Sequence, residues 1–71
     1  YPNPLNNYIN ISSSEIIEKI EIIDIIGKVI KTQNLSKSSA TIDVSDLKNN
    51  VYFLTYSING IVNSKKIIIN H

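Results

Sequence analysis

Residue types able to do chemistry are few in this chain, and they are scattered. His71 is the only histidine and the last residue of the sequence. An imidazole serves as base, relay or metal ligand only when partners hold it at fixed geometry, so a terminal one reads as a solvated tail. Asp24, Asp43 and Asp46 are the candidates for a carboxylate cluster that would do acid–base work or hold a cation. Their neighbours favour local roles instead: Asp24 caps a turn, Asp43 faces solvent on a strand, and Asp46 sits in the first turn of a short helix. Calcium needs oxygen ligands at loop spacings that do not occur here. The serines have no interior histidine to activate them and no G-x-S-x-G context, which argues against nucleophilic catalysis. Two glycines build no phosphate-cradling loop, and the lack of cysteine excludes disulfides and thiolate metal sites. Tyr8, Tyr52, Phe53 and Tyr56 remain as a candidate carbohydrate or peptide platform, although such residues more often pack a core with a hydroxyl left at the surface. Asn10-Ile11-Ser12 and Asn34-Leu35-Ser36 match the glycosylation sequon, which matters only on a eukaryotic secretory route.

The bounds on the chain agree with this emptiness. Seventy-one residues make one small domain, and a chain of that size buries only ~60% of its unfolded surface. A hydrophobic content of 42% is globular rather than disordered, and isoleucine, a β-branched strand former, dominates it. A net charge of +1 with both signs interspersed gives no electrostatic case for nucleic acid or an anionic membrane. No apolar run reaches the ~18 residues of a membrane helix, and Tyr1-Pro2-Asn3-Pro4 does not read as a cleavable leader.

The elements that position these residues are strands. In the central stretch Ile16–Lys31, Ile20 and Ile22 alternate with Glu21, which puts the two isoleucines on one face. Asp24 leads into a turn in which Gly27 supplies the positive φ, and Val29 to Thr32 return. Ile16 shares the parity of Ile20 and Ile22 while Ile17 does not, which predicts a bulge or strand edge there. Before this hairpin, the two prolines keep the entrance extended and Leu5 tucks inward. Asn6-Asn7 turns the chain, Tyr8–Ile11 forms a strand with Ile9 and Ile11 on one face, and Ser12–Ser14 is a loop. After the hairpin, Gln33–Ser39 is a loop. Ala40–Val44 alternates with Ile42 and Val44 inward, and Ser45 caps a short helical turn that drops Leu47 into the core. Asn49-Asn50 turns the chain through a left-handed residue. Val51–Ile58 reads as the longest strand, central and covered on both faces near its start. Asn59-Gly60 is a type I′ hairpin signal, and Ile61–Ile69 closes the domain. Lys65 and Lys66 guard that strand against edge-to-edge pairing.

Six to seven short strands at intervals of roughly ten residues, with no helical period, indicate an all-β fold: a small immunoglobulin-like antiparallel β-sandwich. A small closed barrel is the alternative.

The same residues carry a resemblance. Tyr1-Pro2-Asn3-Pro4 comes first, then Ile20-Glu21-Ile22-Ile23-Asp24-Ile25-Ile26-Gly27-Lys28. Ile42-Asp43-Val44-Ser45-Asp46-Leu47 follows, then Tyr52 and Leu54, and Gly60 with Lys66-Ile67-Ile68. In order and spacing they resemble the type A C-terminal sorting domain of the type IX (Por) secretion system, across essentially the whole chain. One departure is Asn50, where that family usually places glycine; asparagine can adopt the same left-handed conformation.

The resemblance implies that residues 1–71 are a single sorting domain at the C-terminus of a larger secreted protein whose cargo domain precedes it. It implies passage through the periplasm of a Gram-negative bacterium and reading by the outer-membrane type IX translocon. Removal by a sortase-like peptidase usually follows, with the cargo released or attached to anionic lipopolysaccharide at the cell surface. The chain is then an address label that catalyses nothing, takes no cofactor and binds neither nucleic acid nor a small-molecule substrate. Recognition is expected at the motif positions that are exposed or near an edge. These are Pro2, Asn3 and Pro4 at the entrance, Gly27 and Lys28 in the turn, and Gly60, Lys66, Ile67, Ile68 and Ile69 in the terminal hairpin. Its last strand could offer backbone for strand addition. Lys28 and Lys66 have the strongest claim, because neither backbone geometry nor burial demands lysine there, although charge at a strand edge also accounts for Lys66. Structural needs alone account equally well for the glycines and isoleucines.

Two other classes compete. An immunoglobulin- or fibronectin-like adhesive or carbohydrate-binding module predicts an exposed row of Tyr8, Tyr52 and Tyr56. A passive spacer predicts that deletion leaves export unchanged.

Overall fold

The computed structural model describes residues 8–70. They form four strands, β1 (Tyr8–Ile23), β2 (Val29–Asp43), β3 (Asn50–Ile58) and β4 (Ile61–Ile69). All three pairings are antiparallel, in one open sheet of order β2-β1-β3-β4. The all-β, antiparallel expectation holds, but the described residues form four strands in one open sheet rather than six to seven in a sandwich or a closed barrel.

The difference arises at two polar stretches. Ser12–Ser14 and Gln33–Ser39 were expected to be loops; both continue as strand. Both find backbone partners across the hairpin: Ser12 lies opposite Ser39, while Gln33, Asn34 and Lys37 lie opposite Ile20, Lys19 and Ile17. Backbone groups need partners whatever the side chains are, and a serine- or asparagine-rich strand with its side chains in water meets that need. Two pairs of expected short strands therefore merge into one long hairpin. At 16 residues β1, not the strand beginning at Val51, is the longest.

That hairpin is irregular where the sequence changes parity. Register shifts fall between Ser12 and Ile17, between Ile17 and Lys19, and between Ile22 and Ile23. The expected bulge is present, but it selects the opposite residue: Ile17 is 0% exposed and Ile16 is 50% exposed. Extra residues in one strand bend it and change which side chains face inward. Beyond the bulges, the far half of the hairpin leans over the inner face of β3 and β4. Ile9 and Ile11 share a groove there with Leu54, Tyr56 and Ile67.

The core consists of Ile17, Ile20, Ile22, Ile42, Val44, Leu47, Tyr52, Leu54 and Ile69. Ile20, Ile22, Ile42, Val44 and Leu47 face inward as their alternation requires. Burying one such isoleucine contributes about 1.5–3 kcal/mol. Tyr52 enters the core with its hydroxyl satisfied, donating to the Lys48 carbonyl at 2.8 Å. β3 is central, as expected, but only one of its faces is covered: Tyr52 and Leu54 are buried, whereas Phe53 is exposed.

The turns follow their local chemistry with two exceptions. Asn59 (φ 52°) and Gly60 (φ 77°) both have positive φ, the requirement of a type I′ turn. Gly27 has φ 92° in the β1–β2 turn. Asn50 is not left-handed: it is the first residue of β3, and its Oδ1 accepts the Val51 N–H at 2.8 Å. Ser45 caps no helix. It donates both its N–H, at 2.9 Å, and its hydroxyl, at 2.6 Å, to the Asp43 carboxylate, and a tight turn closes from Leu47 N–H to Val44 carbonyl. A carboxylate one residue outside the turn meets both donors at once, which leaves the serine nothing to cap. Pro2, Asn3, Pro4, Leu5, the Asn6-Asn7 turn and His71 lie outside the described residues.

Candidate recognition surface

Backbone register sets which expected positions meet. Ile23 of β1 pairs with Phe53 of β3, and Phe53 pairs with Lys66 of β4. The β1–β2 turn carrying Gly27 and Lys28 therefore sits at the same end of the sheet as the start of β3 and the last residues of β4. Gly60 lies at the opposite end, beyond the Ile58–Ile61 pair that closes the terminal hairpin. Lys28 and Lys66 thus share one end of the sheet, and Gly60 lies at the other.

The Lys28 turn is fastened at its base. Asp24 Oδ1 accepts the backbone N–H of Ile26 at 3.0 Å and that of Lys28 at 2.9 Å. The Asp24 N–H donates to the Lys28 carbonyl at 2.9 Å, and the Gly27 N–H to the Asp24 carbonyl at 3.0 Å. This closed loop leaves the Lys28 ammonium in solvent. At the other end, Gly60 N–H donates to Glu18 Oε1 at 3.1 Å and Asn59 Nδ2 to Glu15 Oε1 at 2.8 Å. Gly60 thus serves a turn that is tied to β1.

The three isoleucines of β4 divide by parity. Ile69 is buried, Ile67 is half-buried against the core, and Ile68 is 68% exposed on the outer face beside Lys66. Within Lys66–Ile69, only Lys66 and Ile68 are exposed. Among the described residues the ion pairs are Lys19–Glu21, at 3.6 Å, and Lys31–Asp46, at 3.0 Å. Lys28, Lys37, Lys48, Lys65 and Lys66 take part in neither and are exposed.

Sequence reasoning missed part of this surface. Ile25 and Ile26, at the tip of the Lys28 turn, are 62% and 83% exposed. Phe53 stands on the outer face between Ile23 and Lys66, and Val51 pairs with the exposed Ile68 on that same face. The end of the sheet therefore presents apolar groups flanked by two lysines. The signal was available: two isoleucines inside a turn break the rule that turns are polar, and such a break marks contact more often than core.

The competing chemistry finds little to work with. Tyr52 is buried and Tyr56 half-buried, leaving Tyr8 alone exposed, so no exposed tyrosine row forms. Asp24 fastens its own turn, Asp43 accepts from Ser45, and Asp46 pairs with Lys31 of β2. Among the described residues no group of three or more His, Cys, Asp or Glu gathers to hold a metal. The Asp43 carboxyl is held below the usual carboxylate range, first by the Ser45 hydroxyl, then by the Ser45 N–H and the Lys31 charge. Among the described residues no helix is long and apolar enough to cross a membrane.

Comparison with curated proteins and with solved structures returns no match. A family model described as the secretion system C-terminal sorting domain matches residues 1–70.

Proposed function

Since this chain belongs to the secretion system C-terminal sorting domain family of type IX secretion, we propose that it delivers its cargo by presenting the Lys28–Lys66 end of the sheet to the outer-membrane translocon. Family membership makes the chain a C-terminal type IX sorting signal for an N-terminal cargo that is exported to the surface or medium. The finer steps are the proposal. The domain crosses the periplasm folded, the translocon reads it, and a sortase-like peptidase removes it near the Pro2-Asn3-Pro4 entrance. The cargo is then released or attached at the surface. The chain itself performs no catalysis in this scheme.

The single observation that supports the location is the conjunction at one end of the sheet. Two unpaired lysines there flank exposed Ile25, Ile26, Phe53 and Ile68, although folding requires none of these exposures. Gly27 holds the turn that presents Lys28, while Gly60, Ile67 and Ile69 serve the fold that presents Lys66.

A fluorescent reporter carrying this domain at its C-terminus tests the location in a bacterium with the type IX machinery. Replacing Lys28 and Lys66 by serine leaves the core untouched. The expected result is a folded reporter retained in the periplasm. Export equal to that of the unaltered domain rejects this surface.

A further inference from the structure

The sheet has two edges, and they are unlike. β2, at one edge, pairs with β1 through three register shifts, two of which place an extra residue in β2. Bulges and bends of this kind block pairing with another chain. β4, at the other edge, makes nine consecutive pairs with β3 without a register shift and contains no proline. It is nine residues long and regular, and only its end, at Ile67–Ile69, borders another strand, at Tyr8 and Ile9.

The turn decides which of its backbone groups are free. A two-residue type I′ turn makes Ile58–Ile61 a hydrogen-bonded pair, and antiparallel pairs alternate from there. Ile61, Asn63, Lys65, Ile67 and Ile69 thus spend their N–H and C=O groups on β3. Val62, Ser64, Lys66 and Ile68 direct theirs outward. Their side chains also share the outer face, with Val62 and Ile68 65% and 68% exposed. β4 carries two lysines and no acid, and neither lysine is ion-paired among the described residues.

We propose that β4 takes an extended, acidic segment of a partner protein as a fifth strand. The segment's backbone pairs with Val62, Ser64, Lys66 and Ile68. It places a carboxylate beside Lys66 and apolar side chains beside Val62 and Ile68. A second copy of this chain is the poorer occupant: antiparallel pairing of two β4 strands about their centres sets Lys65 against Lys65, and like charges directly opposite repel. The proposal deepens the sorting reading, on which it rests for its use in export, by naming the chemistry of the partner.

Strand addition is tested on the 71-residue chain with two fluorescein-labelled peptides of alternating valine and threonine, one with a central glutamate and one with a central lysine. Anisotropy reads binding, and amide exchange reads its place. The acidic peptide binds about three- to tenfold tighter, as cross-strand charge pairing predicts, and slows exchange at Val62, Ser64, Lys66 and Ile68. Lys66→Glu reverses the preference. Ser64→Pro removes an outward N–H that the β3 ladder does not use, so the fold survives and binding is lost. Equal binding of both peptides, protection elsewhere, unimpaired binding to Ser64→Pro, or self-association through β4 each overturn the proposal. Export of a reporter fusion separates the two readings. An exported domain that binds neither peptide refutes the acidic fifth strand and leaves sorting intact, whereas a domain that binds the acidic peptide but is not exported refutes sorting alone.

Discussion

The backbone N–H of Lys28 donates to Asp24 Oδ1 at 2.9 Å, so the residue that fastens the first turn also fixes where the Lys28 side chain leaves the sheet. A second N–H, from Ile26, shares the same oxygen at 3.0 Å. Asp24→Ala removes the acceptor for both donors and is expected to lower stability by about 1–2 kcal/mol, since each such bond nets roughly 0.5–1.5 kcal/mol. Asp24→Asn keeps an acceptor and costs less. Urea denaturation of the three proteins checks the order, and identical midpoints contradict the turn's role.

Ile16 and Ile17 are adjacent, yet only Ile17 enters the core. Ile17→Ala should cost about 2–5 kcal/mol, as large-to-small changes at filled sites do. Ile16→Ala should cost well under that, in the range of ~0.5 kcal/mol typical of surface changes. Thermal unfolding of the pair measures the difference. Equal losses place the bulge elsewhere.

Gly60 has φ 77°, and a Cβ built there meets nothing within 4 Å. Any cost of Gly60→Ala is therefore conformational rather than steric crowding, about 1–2 kcal/mol for a left-handed L-residue. Asn59→Gly, at φ 52°, should be close to neutral. A tolerated Gly60→Ala shows that the hairpin closes through another turn.

Asp43 has a depressed carboxyl pKa because Ser45 donates to its charged form twice. A folded value below the unfolded one means that this contribution is present above the unfolded value of about 4 and is lost as pH falls through the lower folded value. Stability measured between neutral pH and about pH 2 should show an acid limb that flattens in Asp43→Asn. An unchanged limb assigns acid sensitivity to other carboxylates.

Much of the fold was legible because much of it is local. The alternation of Ile20 with Ile22 and of Ile42 with Val44 needs only neighbouring residues to be read. So do the turns at Asp24–Gly27 and Asn59–Gly60, where a carboxylate or a positive φ is a local requirement. The merged hairpin was not legible, because Ser12–Ser14 and Gln33–Ser39 look like loops singly and become strand only when paired across the hairpin. Ile17 was misjudged for a related reason: a bulge resets parity, and its effect on facing is visible only in the paired register. Lys28 and Lys66 could be named from the sequence. Their sharing of one end of the sheet, away from Gly60, depends on the β1–β3 and β3–β4 registers, which no local pattern encodes. Asn50 shows the limit of substitution logic, since asparagine's tolerance of left-handed backbone was irrelevant to a position that is extended.

Export itself tests the sorting role most directly. A periplasm-targeted fluorescent protein, with and without this domain at its C-terminus, is followed in a type IX-competent strain and in one lacking the translocon. Medium, surface and periplasm are each assayed for folded reporter. The expected result is reporter in the medium or on the surface only when both the domain and the translocon are present. Folded reporter that stays periplasmic in the competent strain, or that leaves the cell equally well without the translocon, contradicts the sorting role.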